Sequence, residues 1–320
     1  MHRKDLFLHI GWPKTGTTAL QSFCHANRAA LAAQGLAYYT TRAESAGSIA
    51  RAIAKAEPMA PHSARLQDWA ARQDAAKVLI SSEGFAGTDL TALADFLAPE
   101  QWRRITVIAY LRPQDEYLES WYKQVIKWGN KVPLQTYLGA QNPVWRLADY
   151  DGQMARWQAW CAGLPDARLQ AAIFDRQTLA GGDIGTDVFA RLGLPGPGQP
   201  LGGSNVSPSA ALIALYLKLP PIERLQQINR AMMASGHPAT VGSRDILTPD
   251  QRAAIMARFA PGNERLRARL FPDRDTLFAP KPPPPAAPED ATDTLKTLLI
   301  ATLERLRGPD IVAQARTALA

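Results

Sequence analysis

The chain has 320 residues, 46% of them hydrophobic, and a mean hydropathy of −0.19, which is a globular composition with room for one large domain or two ordinary ones. Its net charge of +7 favours encounters with anionic partners, but arginine is spread along the chain rather than clustered, so charge alone selects no partner class and gives no case for nucleic acid. Two cysteines, Cys24 and Cys161, exclude a disulfide framework and a cysteine metal site.

The first five residues are basic but carry no apolar run of signal-peptide length, and no stretch is long enough to span a membrane. The expectation is a cytoplasmic protein. Leu6 to Ile10 reads as a buried strand. After it come Gly11-Trp12-Pro13-Lys14-Thr15-Gly16-Thr17-Thr18 and a helical pattern from about Thr17 to Gln34, with Leu20, Phe23, Asn27 and Leu31 at spacings of three and four. Gly35 suits the position that ends such a helix. A strand, a glycine-bearing loop and a helix start make an anion site, because free N–H groups at the helix N-terminus face outward and the helix dipole favours negative charge there. Thr15, Thr17 and Thr18 add hydroxyls, and Lys14 adds a mobile positive charge.

The spacing is similar to the nucleotide P-loop, but Thr17 stands where that motif has its lysine, and Lys14 is the only lysine in the loop. Pro13 to Thr18 instead resembles the 5′-phosphosulfate loop of sulfotransferases, P-K-[ST]-G-[ST]-[ST]. The donor in that family is 3′-phosphoadenosine 5′-phosphosulfate (PAPS). The resemblance implies that Lys14, Thr15, Gly16, Thr17 and Thr18 bind the phosphosulfate, without a metal.

Residues 40–76 are rich in alanine and read as one or two surface helices broken near Pro58 and Pro61, with no visible chemistry. Val78 to Ile80 reads as a central strand with Ser81-Ser82-Glu83 at its carboxyl end, where open α/β sheets bind ligands. Glu83 is the candidate base for an attacking hydroxyl or amine, its bland alternative being a helix cap or an ordinary ion pair. His9, on the first strand, is the reserve candidate and otherwise a core residue. After a helix over Leu90 to Leu97, Ile105 to Leu111 is a buried parallel strand ending in Arg112-Pro113, and a helix follows. An arginine beside a proline at a strand end, with Ser120 eight residues after it, is similar to the segment that holds the 3′-phosphate of PAPS in sulfotransferases. Arginine offers phosphate a planar fork of donors, and a serine hydroxyl adds one bond.

Lys123 and Lys127 lie one turn apart on that helix, placed either to meet an acidic acceptor or to form a solvated stripe. Trp145, Tyr150, Trp157 and Trp160 read as helix packed on the core, with the wall of an acceptor cleft as the alternative. A strand over Leu169 to Phe174, a helix after Gly181-Gly182-Asp183 and another opened by Ser204 to Pro208 follow. The loop before that last helix is a candidate nucleotide cover. Asn263 to Leu266 falls in a late basic helix. Lys281 to Pro285 is an extended polyproline linker, leading to one amphipathic helix with Leu295, Leu298, Leu299, Leu303 and Leu306 on its stripe. That stripe has three outlets: packing back, pairing with a second subunit, or docking a partner. The expected boundaries are 1–278 for the main domain, 279–288 for the linker and 289–320 for the tail.

The resemblance covers about residues 5 to 278 and implies a P-loop-like α/β three-layer sandwich with a parallel central sheet. It further implies a sulfotransferase acting on a glycan or related metabolite, as in bacterial enzymes of this size. Ala19 replaces the tryptophan that follows the Thr-Thr pair in the cytosolic small-molecule enzymes, and their late R-K-G-x-x-G loop is absent. Two alternatives predict different behaviour. A nucleotide or sugar kinase with a degenerate P-loop needs Mg²⁺ and ignores a 3′-phosphate. A non-catalytic nucleotide-binding protein binds the product PAP but is indifferent to Glu83.

Overall fold

A computed structural model describes residues 3–41, 44–201, 207–242, 244–281 and 291–320. In chain order the elements are β1 (Asp5–His9), α1 (Thr17–Ala26), α2 (Arg28–Ala33), β2 (Leu36–Tyr39), α3 (Gly47–Ala54), α4 (Ala60–Ala71), β3 (Lys77–Ser81), α5 (Leu90–Leu97), β4 (Arg104–Leu111), α6 (Gln114–Lys127), α7 (Leu134–Tyr137) and α8 (Val144–Ala148). They continue with α9 (Tyr150–Ala162), β5 (Ala167–Ile173), α10 (Ile184–Arg191), α11 (Ala210–Lys218), α12 (Leu225–Ala234), α13 (Pro249–Leu270), α14 (Ala291–Leu306) and α15 (Pro309–Leu319).

The chain divides into two compact units: Met1–Arg112 with Asp149–Ser204 and Ala260–Phe278, and Pro113–Ala148 with Asn205–Phe259 and Ala279–Ala320. The last segment of the first unit ends at Phe278, and the second unit includes two internal segments, 113–148 and 205–259. The loop residues Ser204 to Val206 and the prolines 282–285 lie outside the described residues.

The first unit carries the sheet, five parallel strands in the order β2-β3-β1-β4-β5. Because all strands run the same way, their carboxyl ends share one edge. Period-two alternation sends Phe7, Tyr38, Leu79, Ile108 and Tyr110 to one face, where they pack on Leu20 and Cys24 of α1, Leu31 of α2 and Val188 and Phe189 of α10. On the other face Tyr39 meets Trp69 of α4 and Phe96 of α5. Helices on both faces explain why the central strands read as unbroken apolar runs. The result is the α/β sandwich with a parallel central sheet that the sequence implied.

The first helix is shorter than its periodicity suggests. It stops at Asn27, whose side-chain amide donates to the Phe23 carbonyl at 2.9 Å, and a second helix begins at Arg28. Asparagine competes with the backbone for hydrogen bonds and so favours such breaks.

In the second unit, Lys123 belongs neither to a solvated stripe nor to an acceptor-facing one. It is 1% exposed, and its ammonium donates to Asp245 at 2.7 Å and the Gly242 carbonyl at 2.9 Å, with Glu119 at 3.3 Å. Arg252 pairs with Asp115 and Glu119 in the same unit, so α6 is held by a buried ion network. The tail is two helices, because Gly308 and Pro309 interrupt it. Leu295, Leu299 and Leu303 are fully buried and α14 packs on α11 and α12, so this part of the stripe is covered within its own unit, while Leu306 at its end stays 37% exposed.

Candidate functional site

Three neighbouring strands of the first unit deliver the candidate residues to one edge of the sheet. β1 leads into the loop Ile10–Gly16, β3 into Ser82 and Glu83, and β4 into Arg112. The loop is fixed from below by Trp12, which is fully buried and sits edge-on to Tyr150 with ring centroids 5.6 Å apart. Both the N–H and the hydroxyl of Thr15 donate to the Trp12 carbonyl, at 3.2 and 2.6 Å. These bonds curl the chain back over the strand end.

Three residues in this curl have a left-handed backbone: Gly11 (φ 44°), Lys14 (φ 72°) and Gly16 (φ 76°). A Cβ on Gly11 would fall 2.9 Å from Thr17 Cγ2, so only glycine fits there. Lys14 holds the same conformation with a side chain, at a cost of roughly 1–2 kcal/mol. The Arg112 guanidinium compensates by donating from Nη1 to the Lys14 carbonyl at 2.9 Å. The end of β4 thus holds the loop that leaves β1.

The three threonines, alike in the sequence, separate here. Thr15 is fully buried with its hydroxyl proton spent on Trp12, so its work is to shape the loop. Thr17 is 3% exposed, and its hydroxyl has no partner among the described residues. Thr18 is exposed on the first turn of α1. That helix starts at Gly16 without a side-chain cap, and no acceptor among the described residues meets the N–H groups of Gly16, Thr17 or Thr18. Unpaired donors, an orphaned buried hydroxyl and a cation together make a surface whose chemistry suits an anion.

Lys14 and Glu83 sense each other's charge. Burial pushes the Lys14 ammonium below its ordinary value; Glu83 pulls it back up, and Arg112 lowers it further. Burial raises the Glu83 carboxyl, and Lys14 pulls it down. Glu83 keeps an open path to solvent although protein surrounds much of its carboxyl. It is not the cap of the turn it begins: Ser82 is, accepting from the Gly84 N–H at 3.2 Å. That leaves the Glu83 carboxylate outside the capping bonds.

His9 is a core residue. It is fully buried, shares a 2.8 Å hydrogen bond between Nδ1 and Ser81 Oγ, and packs edge-on against Tyr110. Burial lowers its imidazole from 6.5 to about 4, so it stays neutral near pH 7. Ser120 is buried on α6, in the second unit.

No family model matches the chain. An uncharacterized protein of Archaeoglobus fulgidus is similar to it, 23% identical over 202 residues, which cover 61% of this chain. The match takes in 54% of the archaeal protein, so the chain spans about half the length of that relative.

What the geometry offers chemically is a cationic, donor-rich cup beside a carboxylate of raised basicity. Sequence reasoning missed Trp12 as the anchor and Ser82 as the cap. It also missed the bond from Arg112 to the Lys14 carbonyl, which joins residues 98 apart in the chain and leaves no local pattern.

Proposed function

We propose that this protein is a PAPS-dependent sulfotransferase, moving a sulfuryl group to a hydroxyl or amine of a glycan or related metabolite. The observation that carries the proposal is the meeting of Lys14, Arg112 and Glu83 at one sheet edge, with Arg112 bonded to the Lys14 carbonyl and Lys14 in the field of Glu83. The loop motif and the Arg112 motif lie in separate parts of the sequence. Their convergence supports a single anionic ligand with charge at two positions.

PAPS supplies an activated sulfuryl group. The N–H groups of Gly16, Thr17 and Thr18, with the Thr17 hydroxyl, bind its anionic end. The Lys14 ammonium neutralises the charge that grows as the nucleotide departs. Arg112 contributes the donors for the 3′-phosphate, and the resemblance adds Ser120. Glu83 takes the proton of the attacking hydroxyl, and its raised pKa makes the carboxylate a better acceptor at neutral pH. Such transfer is mostly positioning and charge stabilisation, which a rigid, pinned loop provides.

A thermal-shift panel tests the proposal. PAP should raise the melting temperature more than AMP or adenosine 5′-phosphosulfate, with no requirement for Mg²⁺. Stabilisation by ATP that depends on Mg²⁺ and disregards a 3′-phosphate would instead favour a kinase.

A further inference from the structure

The sequence shows no chemistry between residues 40 and 76, yet the first unit has a hollow of about 740 Å³ there, beside the carboxyl end of β2. Four cations line it: Arg51 on α3 and Lys55 just after it, and Arg65 on α4 and Arg72 just after it. Two carboxylates, Glu57 and Asp68, oppose them, and the first lies 3.9 Å from His62. Trp69 is half-buried in the wall, braced edge-on by Tyr39 at 5.0 Å. Thr41 and Ser48 share a hydrogen bond at the rim. A cationic excess, a braced indole and hydroxyls suit an anionic polyol. They do not suit an apolar phenol or steroid, which asks for a greasy cavity.

This hollow adjoins the reaction centre. A second hollow of about 430 Å³ is lined by Ser82, Glu83 and Gly84, and on its other side by Ala50, Arg51 and Ala54 of α3. Arg51 borders both hollows. The helix between them is seated on the turn that carries Glu83: a Cβ on Gly84 would fall 2.6 Å from the Ala50 Cβ, and the Ala46 N–H donates to the Ser81 carbonyl at 3.0 Å. β2 and β3 are neighbours in register, Tyr39 beside Ile80, so the chain leaving β2 emerges beside the chain leading to Glu83.

Resting on the transferase proposal above, we infer that the acceptor is an acidic saccharide. Its carboxylate or sulfate groups are held by Arg51, Lys55, Arg65 and Arg72, and one sugar face lies against Trp69. The adjoining sugar reaches past Arg51 to Glu83. There its hydroxyl proton passes to the Glu83 carboxylate, the oxygen bonds to the sulfur of PAPS, and the bond from sulfur to the nucleotide phosphate breaks. The electron pair leaves with PAP. Guanidinium groups recognise carboxylate and sulfate through paired hydrogen bonds, which sets the specificity for charge.

Calorimetric titration of the full chain tests this, with PAP as one ligand and tetrasaccharides of hyaluronan, heparin and N-acetylated chitin as the others. Wild type should bind at least one of the two acidic tetrasaccharides about tenfold or more tighter than the neutral chitin one. Arg65→Glu with Arg72→Glu should abolish that preference and leave PAP affinity unchanged. The same two reversals at Arg230 and Arg305, both exposed in the second unit, should leave the preference intact. PAP binding without any preference for acidic saccharides overturns the acceptor assignment alone. So does an equal loss from the Arg230 and Arg305 reversals, because net charge would then explain the effect. Saccharide binding without PAP binding overturns the transferase proposal, and the acceptor role with it.

Discussion

Lys14 combines the loop's charge with a left-handed backbone, and substitution can separate the two. Lys14→Ala and Lys14→Gly both remove the ammonium and its burial. Alanine keeps the Cβ that is strained at φ 72°, whereas glycine relieves a strain of roughly 1–2 kcal/mol. Glycine's greater freedom in the unfolded chain returns about 0.4–1 kcal/mol of that. The glycine variant should therefore be more stable than the alanine variant by about 0.5–1 kcal/mol, a difference of about 1 °C in melting temperature for a chain of 320 residues. The bond from Arg112 ends on the Lys14 carbonyl, so both variants keep the loop pinned. Both should nonetheless lose sulfuryl transfer by about 10²–10³-fold or more, because a donor to the developing charge is gone. Scanning calorimetry and transfer from radiolabelled PAPS give the two readouts. A glycine variant that melts below the alanine variant, or either variant with near-normal transfer, would refute the assignment of strain and charge to this residue.

Glu83→Gln should lower kcat by roughly 10²–10⁴ while leaving PAP affinity near its original value; an unchanged rate removes Glu83 from the chemistry. In the wild type the acid limb of the rate profile should lie above the ordinary carboxylate value of 4.5, activity falling as pH drops through the raised Glu83 pKa. His9 makes a prediction about stability. Its folded pKa, about 4, lies below the unfolded 6.5, so its contribution is complete above pH 6.5 and is lost as pH falls toward 4. At 1.36 kcal/mol per pH unit the full loss is about 3 kcal/mol, and NMR should find the imidazole still neutral at pH 5.5. A protonated ring at that pH would contradict its burial. Gly84→Ala forces α3 away from the turn that carries Glu83, because the new Cβ meets that of Ala50 at 2.6 Å. Transfer should fall with PAP binding intact, and an unaffected KM for the acceptor would count against the placement of α3.

The parts of the fold that were legible are those set by local pattern. β1, β3 and β4 are apolar runs because helices cover both faces of the sheet, and the loop after β1 advertises itself through Gly11, Gly16 and the threonines. What stayed hidden depends on residues distant in sequence. Lys123 reads as exposed beside Lys127 until Asp245, 122 residues later, is seen to bury it. The threonine hydroxyls looked interchangeable because the Trp12 carbonyl that consumes one of them has no signature. The cationic hollow was invisible because α3 and α4 are alanine-rich amphipathic helices, and only their packing beside β2 gathers Arg51, Lys55, Arg65 and Arg72. The break at Asn27 had a signal in the asparagine itself, outweighed by the regular spacing of Leu20, Phe23 and Leu31.

The most direct test of the shared anion site is a calorimetric comparison of PAP with AMP, in wild type and in Arg112→Ala. Wild type should prefer PAP by about tenfold or more, and Arg112→Ala should erase most of that preference while still binding AMP. Equal affinity for the two nucleotides in wild type, or a preference that survives the loss of Arg112, would contradict it.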